Sequence, residues 1–220
     1  MNLKSQFPNK DNFLFSVNSG NNNEKVITLY SENAEPFVRR FKFIKGFEDG
    51  KIDFFSINKK NGVAVSKIMI FEFKVKEVPA LATLLSLASL QGIADSMTGE
   101  GIRFDEFEMN FKNKGKLMTI DEIYAVGPAI SLLMSGYAEK DELISLRGTL
   151  VPATTINKTI ASIPLLGNIL IGKKIGEGVF GVSFKIKGPP KDLKTTVNPI
   201  KTLTPRFITR TLEKIKKKIK

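Results

Sequence analysis

Apolar and polar residues alternate along much of the chain. Phe13, Phe15 and Val17 recur at every second position, and Phe71, Phe73 and Val75 are interleaved with Glu72, Lys74 and Lys76. Phe107, Met109 and Phe111 are spaced by Glu108, Asn110 and Lys112. Phe180, Val182, Phe184 and Ile186 are spaced by Gly181, Ser183, Lys185 and Lys187. A period of two with one apolar side predicts half-buried strands, because successive strand side chains point to opposite faces. Shorter strands are expected at Val26–Tyr30, Lys51–Ile57, Lys116–Ala125, Ile130–Ala138 and Leu143–Val151. The brief connections Asn113-Lys114-Gly115 and Glu139-Lys140-Asp141 predict an antiparallel meander.

Four helical segments interrupt the strands. Asn33 to about Ile44 carries Phe37, Phe41 and Ile44 on one side, with Pro36 in the first turn. Pro79 to about Met97 opens on a proline and stops before Gly99, as a helix should. It is apolar nearly all round, which predicts burial on more than one side. Thr154 to about Ser162 is short and ends before Pro164. The last helix starts at Thr204 as N-cap with Pro205 behind it, and Ile208, Leu212, Ile215 and Ile219 form its apolar stripe.

Composition removes several chemistries. The 220 residues contain no His, Cys or Trp. A Ser-His-Asp triad, a Cys nucleophile, a disulfide and the usual zinc sites are therefore excluded. The formal charge is +12, but residues 201–220 hold eight Lys or Arg against Glu213 alone. Most of the excess thus belongs to the C-terminal helix, which points to local contact with an anionic surface and not to a nucleic-acid binder. The longest weakly polar run, Pro79 to Ala94, is too short and too polar to span a membrane. The N-terminal residues have no apolar signal core.

The motifs that carry chemistry are weak. Gly176-Glu177-Gly178-Val179-Phe180-Gly181 fits a phosphate-cradling glycine loop. A dinucleotide fold needs a helix after those glycines, whereas a strand pattern follows. A kinase needs an H-R-D loop downstream, and the chain lacks His. Carboxylates cluster at Asp105-Glu106-Glu108, Asp121-Glu122 and Asp141-Glu142, where solvated charge is the ordinary reading. Thr154, Thr155, Ser162 and Ser183 have no evident base. An enzyme is not expected, nor a metal or cofactor. Periodicity alone favours an ordinary core for the Phe-lined strand faces over a groove for a hydrophobic ligand. It leaves the last helix level between a solvated tail and an interfacial helix on anionic lipid.

Six stretches in order resemble the C-terminal region of the AsmA-like envelope proteins, particularly the long YhdP-type members of alphaproteobacteria. They are Val78–Ile93, Gly99–Phe111, Ala125–Gly136, Leu146–Leu170, Gly176–Pro189 and Val197–Phe207. The resemblance includes the Gly-Thr-Leu-Val-Pro turn and the Ile-Pro-Leu-Leu-Gly break, and covers about two thirds of the chain. It implies a bridge-like carrier that holds phospholipid acyl chains in an apolar β-groove between inner and outer membranes, in the periplasm. The expected fold is then mainly β (a β-rich α+β class). An antiparallel twisted sheet forms a U-shaped apolar groove, with a buried Leu-rich helix and a basic amphipathic C-terminal helix. Residues 1–66 would end the preceding groove region, 67–203 form the AsmA-like C-terminal region, and 204–220 the basic helix. The chain would be the terminal section of a longer protein with an N-terminal anchor. Phe71, Phe73, Val75, Phe107, Met109, Phe111, Phe180, Val182 and Phe184 are the candidate lining. Arg206, Ile208, Arg210, Leu212, Lys214, Ile215, Lys217 and Lys218 are the candidate membrane contacts. The expected partners are phospholipid and an anionic membrane surface, without nucleic acid. A structural or assembly-modulating envelope protein with a filled core is the alternative.

Overall fold

The computed structural model describes residues 1–7, 11–20, 24–39, 45–152, 181–200 and 210. Eleven strands follow one another: β1 (Asn2–Gln6), β2 (Asn12–Ser19), β3 (Lys25–Ser31), β4 (Lys45–Asn58), β5 (Val63–Glu77), β6 (Ile102–Lys114), β7 (Leu117–Val126), β8 (Ile130–Glu139), β9 (Leu143–Pro152), β10 (Gly181–Gly188) and β11 (Lys194–Ile200). They form one sheet in chain order, and every neighbouring pair is antiparallel. The protein is therefore mainly β, an open meander with β1 and β11 at its edges. The alternating segments fall on strands, and the short connections turn where Gly115 (φ 58°) and Asp141 (φ 63°) take left-handed backbone. Residues 66 and 67 both lie inside β5.

Three helices complete the described residues: α1 (Glu35–Val38), α2 (Pro79–Leu87) and α3 (Gln91–Thr98). The single helix expected from Pro79 to Met97 is broken in two. Ser89 has a φ of 58°, and the Leu90 N–H donates back to the Leu85 carbonyl at 2.9 Å. A left-handed residue with this longer-range bond closes a helix C-terminus. The burial is also uneven, since Leu84 and Leu85 are buried whereas Leu87 is 48% exposed. The expected helix at Asn33–Ile44 is α1 alone within the described residues. The Asn33 side chain accepts the Glu35 N–H at 3.0 Å just before it. The expected helix at Thr154–Ser162 lies outside the described residues. So does the one from Thr204 except for Arg210, which is helical.

The main core cluster lies on one side of the sheet, although Tyr124 and Val151 on the other side are buried too. It gathers Phe47, Ile52, Ile70, Phe73, Val75, Ile102 and Phe104 with Ile130, Leu132, Leu150, Val182, Phe184 and Ile186, and includes Leu84 and Leu85 of α2. Helix α2 also contacts β11, and α3 contacts β5 and β6. The alternation changes phase within β4 and β5. Asp49, Gly50 and Glu72 have left-handed backbone (φ 64°, 87° and 56°). Ile70 and Phe73, an odd number of positions apart, are consequently both in the core. Extra residues of this kind re-aim the side chains that follow.

Candidate functional site

The pairing register places one row of side chains across all eleven strands. It runs Leu3, Phe15, Leu29, Phe54, Ile68, Met109, Ile123, Met134, Gly148, Phe184 and Val197, each directly opposite the next. Opposed residues in an antiparallel sheet share a face, so the row is a single apolar strip. At the usual strand separation its ten steps span about 48 Å. Gly148 is its one gap. A Cβ there would meet the Met134 side chain at 2.6 Å and the Phe184 ring at 2.7 Å. The nearest obstacle is the Leu133 backbone carbonyl oxygen on the neighbouring strand, so only glycine fits without a shift of backbone.

A second row runs beside it: Ile52, Ile70, Phe107, Ala125, Leu132, Leu150 and Val182. Where α2 and α3 pack, this face is filled. Phe47, Phe73 and Phe104 stack with centroids 5.2 and 5.4 Å apart, and Leu150 is fully buried. Phe73, Val75, Val182 and Phe184 are in that filled part. Phe107 and Met109 are only partly buried, and Phe111 is buried with Ile120 and Ile123 in a smaller cluster. Towards β1 the same face loosens. Phe13, Phe15, Leu29 and Phe54 are half-buried, and Leu3 is exposed. Only Phe7 and Phe37 touch Phe13 with their rings among the described residues. Phe71 departs from the expected lining. It pairs with Lys51 and Glu106 and is outside the core, because the phase change at Glu72 leaves it on the other side from Ile70 and Phe73. Phe180 lies outside the described residues.

The opposite face carries charge, and a cluster there was not legible as a site. Register puts Glu108 opposite Tyr124 and Asn110 opposite Glu122. Arg210 reaches this square. Its Nη2 lies 2.8 Å from Glu108 Oε1, its Nε lies 2.7 Å from Glu122 Oε1, and its guanidinium sits 5.1 Å from the Tyr124 ring centre. Lys67 approaches Glu108 at 3.3 Å, and Asn110 Nδ2 donates to it at 2.8 Å. The Arg210 side chain is 15% exposed, so the guanidinium faces the sheet and not an outer surface. Burial pushes the Glu108 carboxyl up, but Asn110, Arg210 and Lys67 outweigh it and hold it below the ordinary carboxylate range. Glu108 and Glu122 are thus cation holders, where solvated charge was expected. The other membrane-contact candidates, Arg206, Ile208, Leu212, Lys214, Ile215, Lys217 and Lys218, lie outside the described residues.

On this charged face a hollow of about 590 Å³ opens over β1–β5, lined in part by Leu14, Tyr30, Phe55 and Met69 with Lys4, Asp53 and Lys67. Of the glycine motif, Gly181 is described, and it opens β10. Among the described residues no cluster of acidic side chains is arranged to hold a metal ion, and no helix is long and apolar enough to cross a membrane. No family model, curated protein or solved structure matches the chain.

Proposed function

We propose that this chain is a section of an envelope lipid carrier of the AsmA-like kind, and that its sheet curls into a U-shaped apolar groove for phospholipid acyl chains. The observation that carries the proposal is the apolar row from Leu3 to Val197, interrupted only at Gly148. An acyl chain lying along such a strip is kept from water at about 0.8 kcal/mol per CH₂, which needs no catalytic group. The half-buried stretch around Phe15, Leu29, Phe54, Phe107 and Met109 is the part that takes lipid. The end under α2 and α3 is filled by Phe73, Phe184 and Leu150 and acts as a stop. The protein would act in the periplasm, and its basic residues 204–220 would meet an anionic leaflet, with Arg210 fixing that segment to β6 and β7.

The second reading is a non-transporting envelope protein with a filled core, and the burial of Val75, Val182 and Phe184 favours it. Native mass spectrometry of the gently purified chain separates the two. Co-purified phospholipid, lost on Leu29→Glu/Phe54→Glu, supports the carrier. Bare protein after purification from lipid-rich cells supports the filled core. Deleting residues 204–220 is expected to weaken vesicle binding at low salt, and unchanged binding would remove the role given to that segment.

A further inference from the structure

The charged face has a second feature, at the β11 edge of the sheet. Arg147 and Lys185 stand directly opposite each other on β9 and β10, and Lys187 stands opposite Lys194 on β10 and β11. Lys191 lies in the turn between β10 and β11, with Asp192 as the one acid beside it. All five cations are exposed. None takes part in the ion pairs formed among the described residues. Like charges directly opposite each other destabilise a sheet. An arrangement of unopposed pairs therefore lowers its energy by meeting an anion. Four of the cations stand in two adjacent register positions of three neighbouring strands, so they are grouped closely enough to meet one headgroup layer.

We propose that the end of this face that carries Arg147, Lys185, Lys187 and Lys194 docks on an anionic phospholipid bilayer. Tyr137, 38% exposed, shares the register position of Ser145 and Lys187 on this face. A tyrosine beside lysines suits the headgroup layer, where one end of the ring is apolar and the other wet. A nucleic acid would be favoured by several exposed rings to stack bases, and this patch has one. The reverse side of the same strands carries the buried Val182, Phe184 and Ile186. Docking would thus hold the rim of the apolar face against the membrane. The choice of a bilayer over another polyanion rests on the carrier reading given above.

The test is sedimentation of the full chain with vesicles rich in phosphatidylglycerol, and with vesicles of phosphatidylcholine alone, at low and high salt. The wild type is expected to bind the anionic vesicles at low salt and to release at high salt. Lys185→Glu/Lys187→Glu/Lys194→Glu is expected to bind at least about 100-fold more weakly, at about 1 kcal/mol per basic group. A matched reversal at Lys59, Lys60 and Lys116, on turns outside the patch, is expected to bind like the wild type. An equal loss in both triple variants, no loss in the first, or tighter binding to single-stranded RNA than to vesicles would each overturn the proposal. Bound phospholipid is read without vesicles, so its retention in a variant that no longer docks would leave the carrier reading standing. Its absence from a wild type that docks normally would count against the carrier reading alone.

Discussion

Strands β2 and β10 carry nearly the same alternating text and end in different surroundings. Phe13, Phe15 and Val17 of β2 are half-buried, whereas Val182, Phe184 and Ile186 of β10 are buried. The difference comes from neighbours. Strand β10 sits between β9 and β11, and α2 packs on β11. Strand β2 borders the short and fully exposed β1, and Phe7 and Phe37 supply the only ring contacts to Phe13 among the described residues. Period-two patterning therefore specifies which side of a strand is apolar. What covers that side is decided by elements far away in sequence.

Core truncation should separate the two ends of the sheet most strongly. Leu150→Ala at the fully buried end is expected to cost about 3–4 kcal/mol, and Leu3→Ala at the exposed end under about 0.5 kcal/mol. Urea unfolding of the two variants checks this. Similar losses would mean that the two ends are equally packed.

Removing Arg210 should come next. Arg210→Ala takes a shared cation from Glu108 and Glu122, two neighbouring carboxylates with little solvent, and is expected to cost about 3 kcal/mol by thermal or urea unfolding. The same cluster sets an acid limit. The Glu108 carboxyl is lowered on folding, so its contribution is fully present above the unfolded value of about 4.3 and fades as pH falls through the folded value. Stability measured downward from neutral pH should fall less steeply below about pH 4.3 in Glu108→Gln than in the wild type. An identical acid slope would show that Arg210 does not hold Glu108 ionised.

Smaller effects sharpen the picture. Gly148→Ala sets a Cβ against the Leu133 carbonyl oxygen as well as Met134 and Phe184, and is expected to cost about 1–3 kcal/mol. The Lys112–Asp121 pair (2.8 Å) is half exposed, and Lys112→Ala should change stability by under about 1 kcal/mol.

The strands and their antiparallel order could be read from the sequence because alternation and short turns act locally. The phase change at Glu72 could not, since a left-handed φ on a charged residue leaves no mark in the pattern. It moved Phe71 away from Phe73 and Val75. The break at Ser89 was hidden for the same reason, inside a run with good helix propensity. The Arg210 cluster joins the β6–β7 hairpin to a residue remote in sequence. The only hint was that Glu108 stands at a strand-centre position between Phe107 and Met109, where an unpaired carboxylate is uncommon.

The central claim is that the loosened part of the apolar face holds acyl chains and the helix-covered part does not. Photo-cross-linking with a phospholipid carrying a diazirine on its acyl chain, mapped by peptide mass spectrometry, tests it most directly. Adducts are expected on the strands that carry Phe15, Leu29 and Phe54, and on those that carry Phe107 and Met109. Adducts confined to α2 and β10, or none above a soluble diazirine control, would contradict it.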